Sequence, residues 1–202
     1  MTLTMGSLNS CYWPMFEEKQ KTEQGVRRGF TLAEVLLVVG IIAVLISIVI
    51  PVLTKHLERS REAYDVYTMR QAASVVIDYV YQGALTKESA EALGLKWWSN
   101  GGDGTNASGV YNPSSGTFSP ISSKEAGKGY GKGTKKDSGD IHKYMDRQMY
   151  ASKEDYTNAV ILVSVYPAGH VDVYWKDVRT GKYIGGQGKN GNDPKYSIRL
   201  NF

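Results

Sequence analysis

The sequence predicts an α+β fold: a long N-terminal α-helix, its first half of membrane-spanning length, packed on a C-terminal antiparallel β-sheet. Three observations carry this. Val35 to Leu53 is a 19-residue apolar run interrupted only by Gly40, Ser47 and Pro51. Val66, Met69, Ala73, Val76 and Val80 then recur at spacings of 3, 4, 3 and 4, one face of a helix. From Asn158 to the end, apolar and alternating segments are separated by Gly- and Pro-containing turns, the pattern of strands.

The apolar run is about 28 Å long as a helix at about 1.5 Å per residue, close to the roughly 30 Å hydrocarbon core of a bilayer. It is apolar on every face, unlike the buried helices of globular domains. Pro51, Lys55 and His56 follow it, with no small-residue cleavage site of a secretory signal. Four basic residues precede it (Lys19, Lys21, Arg27, Arg28) and four follow (Lys55, Arg59, Arg61, Arg70), so the positive-inside rule assigns no orientation. The chain of 202 residues carries a net charge of +4, too mild by itself to point to nucleic acid. Its one cysteine, Cys11, excludes an intramolecular disulfide.

Glu34 stands just inside the apolar run. A carboxylate at the bilayer centre costs about 2.5–3.5 kcal/mol on insertion scales, and less near the interface. An acid held there either snorkels to the headgroups or forms an ion pair on assembly.

Gly29-Phe30-Thr31-Leu32-Ala33-Glu34, preceded by Arg27 and Arg28 and followed by the apolar run, resembles the class III signal of type IV pilins and type II secretion pseudopilins. The resemblance implies that residues 1–29 are a leader, removed between Gly29 and Phe30 by a prepilin peptidase on the cytoplasmic side, and that Phe30 is N-methylated. Residues 30–53 would then be the transmembrane and later filament-core half of the helix, and 54–202 a soluble pilin-like head. Glu34 becomes the fifth mature residue, where the family carries its acid. Pro51 falls where the family places its helix-kinking proline. Proline removes one backbone hydrogen bond, and with Gly40 it weakens the helix between them. Two features depart from the family: the leader is longer than many, and residues 30–202 contain no cysteine, so the family's C-terminal disulfide loop does not carry over.

The implied function is a structural subunit without enzymatic activity. It would be stored as a single-pass protein of the cytoplasmic membrane, then assembled by the pilus machinery into a homo-oligomeric filament at the cell surface. Adhesion, motility, DNA uptake and secretion all remain open, as does pilus against pseudopilus. Cleavage creates an ammonium at Phe30 that Glu34 of an adjacent subunit can neutralise, each group relieving the other's desolvation. That contact is heterologous, so it propagates instead of closing. The alternative from another class is a single-span membrane protein whose head binds a ligand or a protein.

The elements follow in order. The helix is expected over 31–82, its head part being 54–82, with Gly83 as its stop. Leu57, Tyr64, Val75 and Tyr79 form a second, weaker stripe for burial in the head or contact with neighbouring helices. A short helix is expected at 86–93, with Thr86 as N-cap. Residues 96–140, with ten glycines in 45 residues, read as a long connecting loop. Within it Lys124, Lys128, Lys132, Lys135 and Lys136, near Tyr130, face only Glu125 and Asp137. They suit either contact with DNA or another anionic surface, or a solvated, mobile loop. The sheet is expected over 157–202: a doubly apolar central strand at Asn158–Tyr166, then a half-buried strand with Val171, Val173 and Trp175 inward and Asp172, Tyr174 and Lys176 outward. Lys182-Tyr183-Ile184 comes next, then a last strand with Tyr196, Ile198, Leu200 and Phe202 on one face.

Little of the sequence reads as catalytic or metal-binding. His56, His142 and His170 have no metal-ligand spacing and no nucleophile motif beside them. Asn190-Gly191-Asn192-Asp193 offers oxygen ligands in a tight turn, where calcium is the one cofactor left open, although the spacing matches no strict calcium loop.

Overall fold

The computed structural model describes residues 29–83, 86–99, 105–120, 127–140, 142–188 and 193–202. Residues 1–28 of the leader, Lys124, Glu125 and residues 190–192 of the turn read for calcium lie outside the described residues. The chain forms two compact units, Met1–Ala43 and Val44–Phe202. The division therefore falls inside the apolar run instead of at its end.

Helix α1 runs from Leu32 to Tyr81, within one residue of the expected bounds. Residues 29–53 are exposed throughout. The helix is long and apolar enough to cross a membrane. Beyond Leu53 the helix acquires a buried side. Val66, Met69, Ala73, Val76 and Val80, the stripe read from spacing, are each at most 7 % exposed. Of the second stripe, Leu57 and Tyr64 are exposed, while Val75 and Tyr79 pack at the edge of the core. At the end of α1, Gly83 takes φ +98 and its N–H donates to the Val80 carbonyl, the left-handed stop that glycine adopts without strain. Helix α2 follows at Lys87–Ala92, its Thr86 side chain accepting from the Ser89 N–H, as a threonine N-cap should.

Among the described residues eight strands follow: β1 (Lys96–Trp98), β2 (Asn106–Asn112), β3 (Thr117–Pro120), β4 (Lys143–Tyr144), β5 (Arg147–Gln148), β6 (Ala159–Tyr166), β7 (His170–Asp177) and β8 (Ile198–Asn201). The main sheet is antiparallel, in order β1-β2-β6-β7-β8 with β3 also on β2, while β4 and β5 pair as a hairpin. The second half of α1 packs on this sheet. Met69, Ala73 and Val76 share one core with Ile161, Val163, Val171, Val173, Trp175 and Ile198.

Three expectations need correction. Residues 96–120 are not a connecting loop: they supply β1, β2 and β3, and β2 lies between β6 and its other partners. Asn-Ala-Ser-Gly-Val-Tyr-Asn has no period-2 pattern because both of its faces are covered. Gly109 stands where an added Cβ would lie 2.6 Å from Leu95 Cδ2, so the missing side chain makes room for a core residue. Strand β7 is not half-buried either: Asp172 and Tyr174 are 1 % and 5 % exposed. After β7 the chain folds back, the Ile184 N–H donating to the Trp175 carbonyl, and Tyr183 and Val178 join a second core with Val110, Val160, Leu162 and Tyr174. Lys182–Ile184 is accordingly no strand and makes one bridge, Lys176 to Tyr183.

Candidate functional site

Two groups of residues stand out, one in each compact unit. The first is the junction ahead of α1. Gly29, Phe30 and Thr31 precede the helix, and Phe30 is 87 % exposed, so the bond between Gly29 and Phe30 lies in non-helical, accessible backbone. Glu34 is one turn on. Its carboxylate accepts from the Thr31 N–H at 2.8 Å and the Thr31 hydroxyl at 2.9 Å, while the Glu34 N–H donates to Thr31 Oγ1 at 3.3 Å. This is a reciprocal capping box, which satisfies donors that the first turn of a helix leaves unpaired. The acid of the apolar run thus has a partner within its own chain. Its signal in the sequence is the Thr-x-x-Glu spacing of Thr31 and Glu34.

Gly40 lies in the helix with open space around it, and Pro51 is the proline inside α1. Around Pro51, Ser47 Oγ donates to the Val44 carbonyl at 2.7 Å and Thr54 Oγ1 to the Ile50 carbonyl at 2.8 Å. Both hydroxyls stay on local backbone, as in helices that must bury few polar groups.

The second group continues the buried stripe of α1 toward its N-terminus, but with acids. Glu58, Glu62 and Asp65, at spacings of 4 and 3, are 0 %, 1 % and 0 % exposed. They receive the glycine- and lysine-rich segment 129–140, which crosses them as a strap without regular secondary structure. Asp65 accepts from the N–H groups of Lys132 (2.8 Å) and Gly133 (2.7 Å) and from the Tyr150 hydroxyl (2.9 Å). Glu58 accepts from the Thr134 N–H, the Thr134 hydroxyl (2.9 Å) and Arg61 (3.2 Å). Glu62 accepts from Ser138, Ser152 (3.2 Å) and His142 Nε2 (3.1 Å). Arg59 ties the same stretch from outside, donating to the Ser138 carbonyl at 3.0 Å and pairing with Asp140 at 3.1 Å.

The strap's sequence explains its path. In Gly-Lys-Gly-Tyr-Gly-Lys-Gly, glycine alternates with larger residues, as an extended ribbon requires. At Gly129, Gly131 and Gly133 an added Cβ would lie 2.3, 2.3 and 2.0 Å from Asn158, Tyr156 and Tyr150 respectively. Lys128 and Lys132 face solvent. Tyr130 turns inward, donating to the Tyr111 carbonyl at 2.9 Å and accepting the Ile161 N–H at 2.8 Å. Burial raises its hydroxyl pKa well above the tyrosine range. Burial is also the largest influence on Asp65, whose pKa is pushed up to about 6 against the opposing pull of the Gly133 and Lys132 N–H groups. The reading of a freely solvated loop is therefore corrected for this part of 96–140: its backbone is anchored to α1 by hydrogen bonds, while Lys132, Lys135, Lys136 and Asp137 reach the solvent. Hydrophobic periodicity could not find this site, because the stripe changes from valine and methionine to acid while keeping its spacing.

Among the described residues no group of three or more His, Cys, Asp or Glu side chains is disposed to hold a metal ion, and no serine or threonine hydroxyl is hydrogen-bonded to a histidine. His142 serves Glu62, and His170 stacks on Tyr166 at 4.4 Å. Asp172 is held by Arg199, its cross-strand partner on β8, with Arg199 Nε at 2.7 Å. These arrangements fasten the fold. Comparison with protein-family models, with curated proteins and with solved structures gives no match for this chain.

Proposed function

We propose that this chain is a pilin-like structural subunit. It is cleaved after Gly29, N-methylated at Phe30, held in the cytoplasmic membrane by residues 30–53 and assembled with other copies into a surface filament. The observation that carries the reading is the order Gly29-Phe30-Thr31-Leu32-Ala33-Glu34 at the mouth of the apolar run. Two structural features support it. The scissile peptide precedes α1 in exposed backbone, accessible to a peptidase. α1 is bare through Leu53 and buried on one side beyond it, so one helix serves an apolar surrounding first and a sheet afterwards. A helix apolar on all sides has no place in water; lipid, and later the helices of neighbouring subunits, give it one.

In this role Glu34 exchanges partners. In the precursor it is satisfied by Thr31. After cleavage the ammonium of Phe30 in an adjacent subunit competes for it, and the charged pair is the stronger in a low dielectric. Mass spectrometry of the N-terminus in membrane fractions tests the proposal. A chain beginning at N-methylated Phe30 is expected. A native chain that retains residues 1–29 refutes it and favours a single-span membrane protein with a binding head.

A further inference from the structure

We infer that Lys135 and Lys136 of the strap, with Lys55, form a surface that grips the anionic headgroups of the bilayer in which α1 is stored. The inference rests on the membrane-spanning reading of the apolar run and concerns only the unit Val44–Phe202.

Height along the helix is the first ground. Lys55 and Glu62 are 2 and 9 residues past Leu53, or roughly 3 and 13 Å beyond the apolar run. The strap lies beside these turns: Thr134 bonds Glu58, Ser138 bonds Glu62, and a Cβ at Gly139 would stand 3.0 Å from Lys55 Nζ. The polar layer on each side of the hydrocarbon is roughly 5–8 Å thick, and its field extends a further Debye length of about 8 Å. Lys135 and Lys136, between Thr134 and Ser138, are within that reach.

Segregation of charge is the second ground. Glu58, Glu62 and Asp65 point inward and are occupied by N–H and hydroxyl donors. The exposed acids of the strap are already paired, Asp137 with Lys153 at 2.9 Å and Asp140 with Arg59 at 3.1 Å. Asp155 is engaged by Thr157, though it also feels Lys135. Among the described residues, Lys55, Lys132, Lys135 and Lys136 form no ion pair. The face turned to the bilayer therefore presents ammonium groups on a backbone that hydrogen bonds hold in place. Each basic residue at an anionic surface is worth about five-fold in partition.

The test uses the full chain in vesicles of phosphatidylcholine alone and of phosphatidylcholine with phosphatidylglycerol, with flotation to score insertion. Amine labelling followed by mass spectrometry then scores each lysine. Labelling of Lys55, Lys135 and Lys136 is expected to fall about five-fold in the anionic vesicles. Lys87, beyond the far end of α1, is expected to label equally in both. At about 1 M salt, where the Debye length is about 3 Å, the difference is expected to vanish. In the variant Lys135→Glu/Lys136→Glu, Lys55 is expected to lose its protection. Equal labelling in an inserted chain overturns this inference and leaves the membrane reading standing, whereas a chain that does not float overturns both. Protection of the same lysines by duplex DNA over neutral vesicles, without protection by phosphatidylglycerol, also overturns it.

Discussion

Lowering the pH from about 7 to about 4 acts on Asp65 in a direction its surroundings determine. The carboxyl is buried and meets two backbone N–H groups and the Tyr150 hydroxyl. The donors favour the ionised form and burial disfavours it. Burial wins, and the folded pKa is about 6 against 3.8 for the free group. An acid whose pKa is raised by folding binds its proton more tightly in the folded state. Its contribution to stability is therefore fully present below 3.8 and is lost as pH rises through about 6. The difference of about 2 pKa units corresponds to about 3 kcal/mol. Ordinary acid destabilisation from the other carboxylates runs the opposite way, so the measurable quantity is the contrast with Asp65→Asn, which keeps the shape and cannot titrate. Urea unfolding of the full chain in detergent micelles, followed by tryptophan fluorescence, gives it: Trp175 is buried against Tyr156 and Tyr130. Because the free group is still partly ionised at about pH 4, the wild type should gain most of this, about 2 kcal/mol, relative to Asp65→Asn between about pH 7 and about pH 4. Parallel pH profiles for the two proteins would refute the reasoning.

Further predictions concern single contacts. Gly133→Ala brings a Cβ to 2.0 Å from the Tyr150 hydroxyl and is expected to destabilise the head by about 1–3 kcal/mol in the same unfolding assay. Arg199→Ala leaves the carboxylate of Asp172, 1 % exposed, without its guanidinium. The expected loss is about 3 kcal/mol, and Asp172→Ala/Arg199→Ala should lose less than Arg199→Ala alone. Glu34→Gln keeps a hydrogen-bonding side chain at the helix start and removes the charge. It is expected to leave cleavage after Gly29 intact and to abolish filaments in electron micrographs of sheared surface material; a normal filament yield removes Glu34 from assembly.

The parts of the fold legible in the sequence were those written in apolar side chains at a fixed period. The stripe from Val66 to Val80 packs on the sheet, and β6 reads as a central strand because Ile161 and Val163 fill one core while Val160 and Leu162 fill another. The Thr86 cap was legible for a local reason, since the accepting side chain and its donor, the Ser89 N–H, are three residues apart. Strand β2 was hidden because its role depends on what is absent: Gly109 leaves space for Leu95. Asp172 and Tyr174 looked outward because alternation reports polarity, whereas their burial depends on Arg199 and Tyr183, which arrive from later in the chain. The strap was hidden for both reasons. Its glycines mark close approaches to Asn158, Tyr156 and Tyr150, and the acids that Lys132, Gly133 and Thr134 bond lie 67 to 76 residues earlier in the chain.

Glu58, Glu62 and Asp65 answer two demands on one stripe of α1. Toward the sheet the stripe has to be buried. Toward the bilayer, on the proposed reading, it has to stay out of hydrocarbon. Leucine at these three positions would meet the first demand and fail the second. The apolar face would then run on toward Val80, and nothing would fix which turn of the helix stands at the membrane surface. Fully solvated acids would meet the second and leave the lower head without a packed side. Buried carboxylates meet both, provided that enough donors reach them, because an unpaired buried charge costs several kcal/mol. Here backbone N–H groups of the strap serve Asp65 and Glu58, while hydroxyls and His142 serve Glu62. Glycine at positions 129, 131 and 133 lets that backbone lie close against Asn158, Tyr156 and Tyr150. The acids of the helix and the glycines of the strap are two halves of one device, and it sits at the turns of α1 that follow the apolar run.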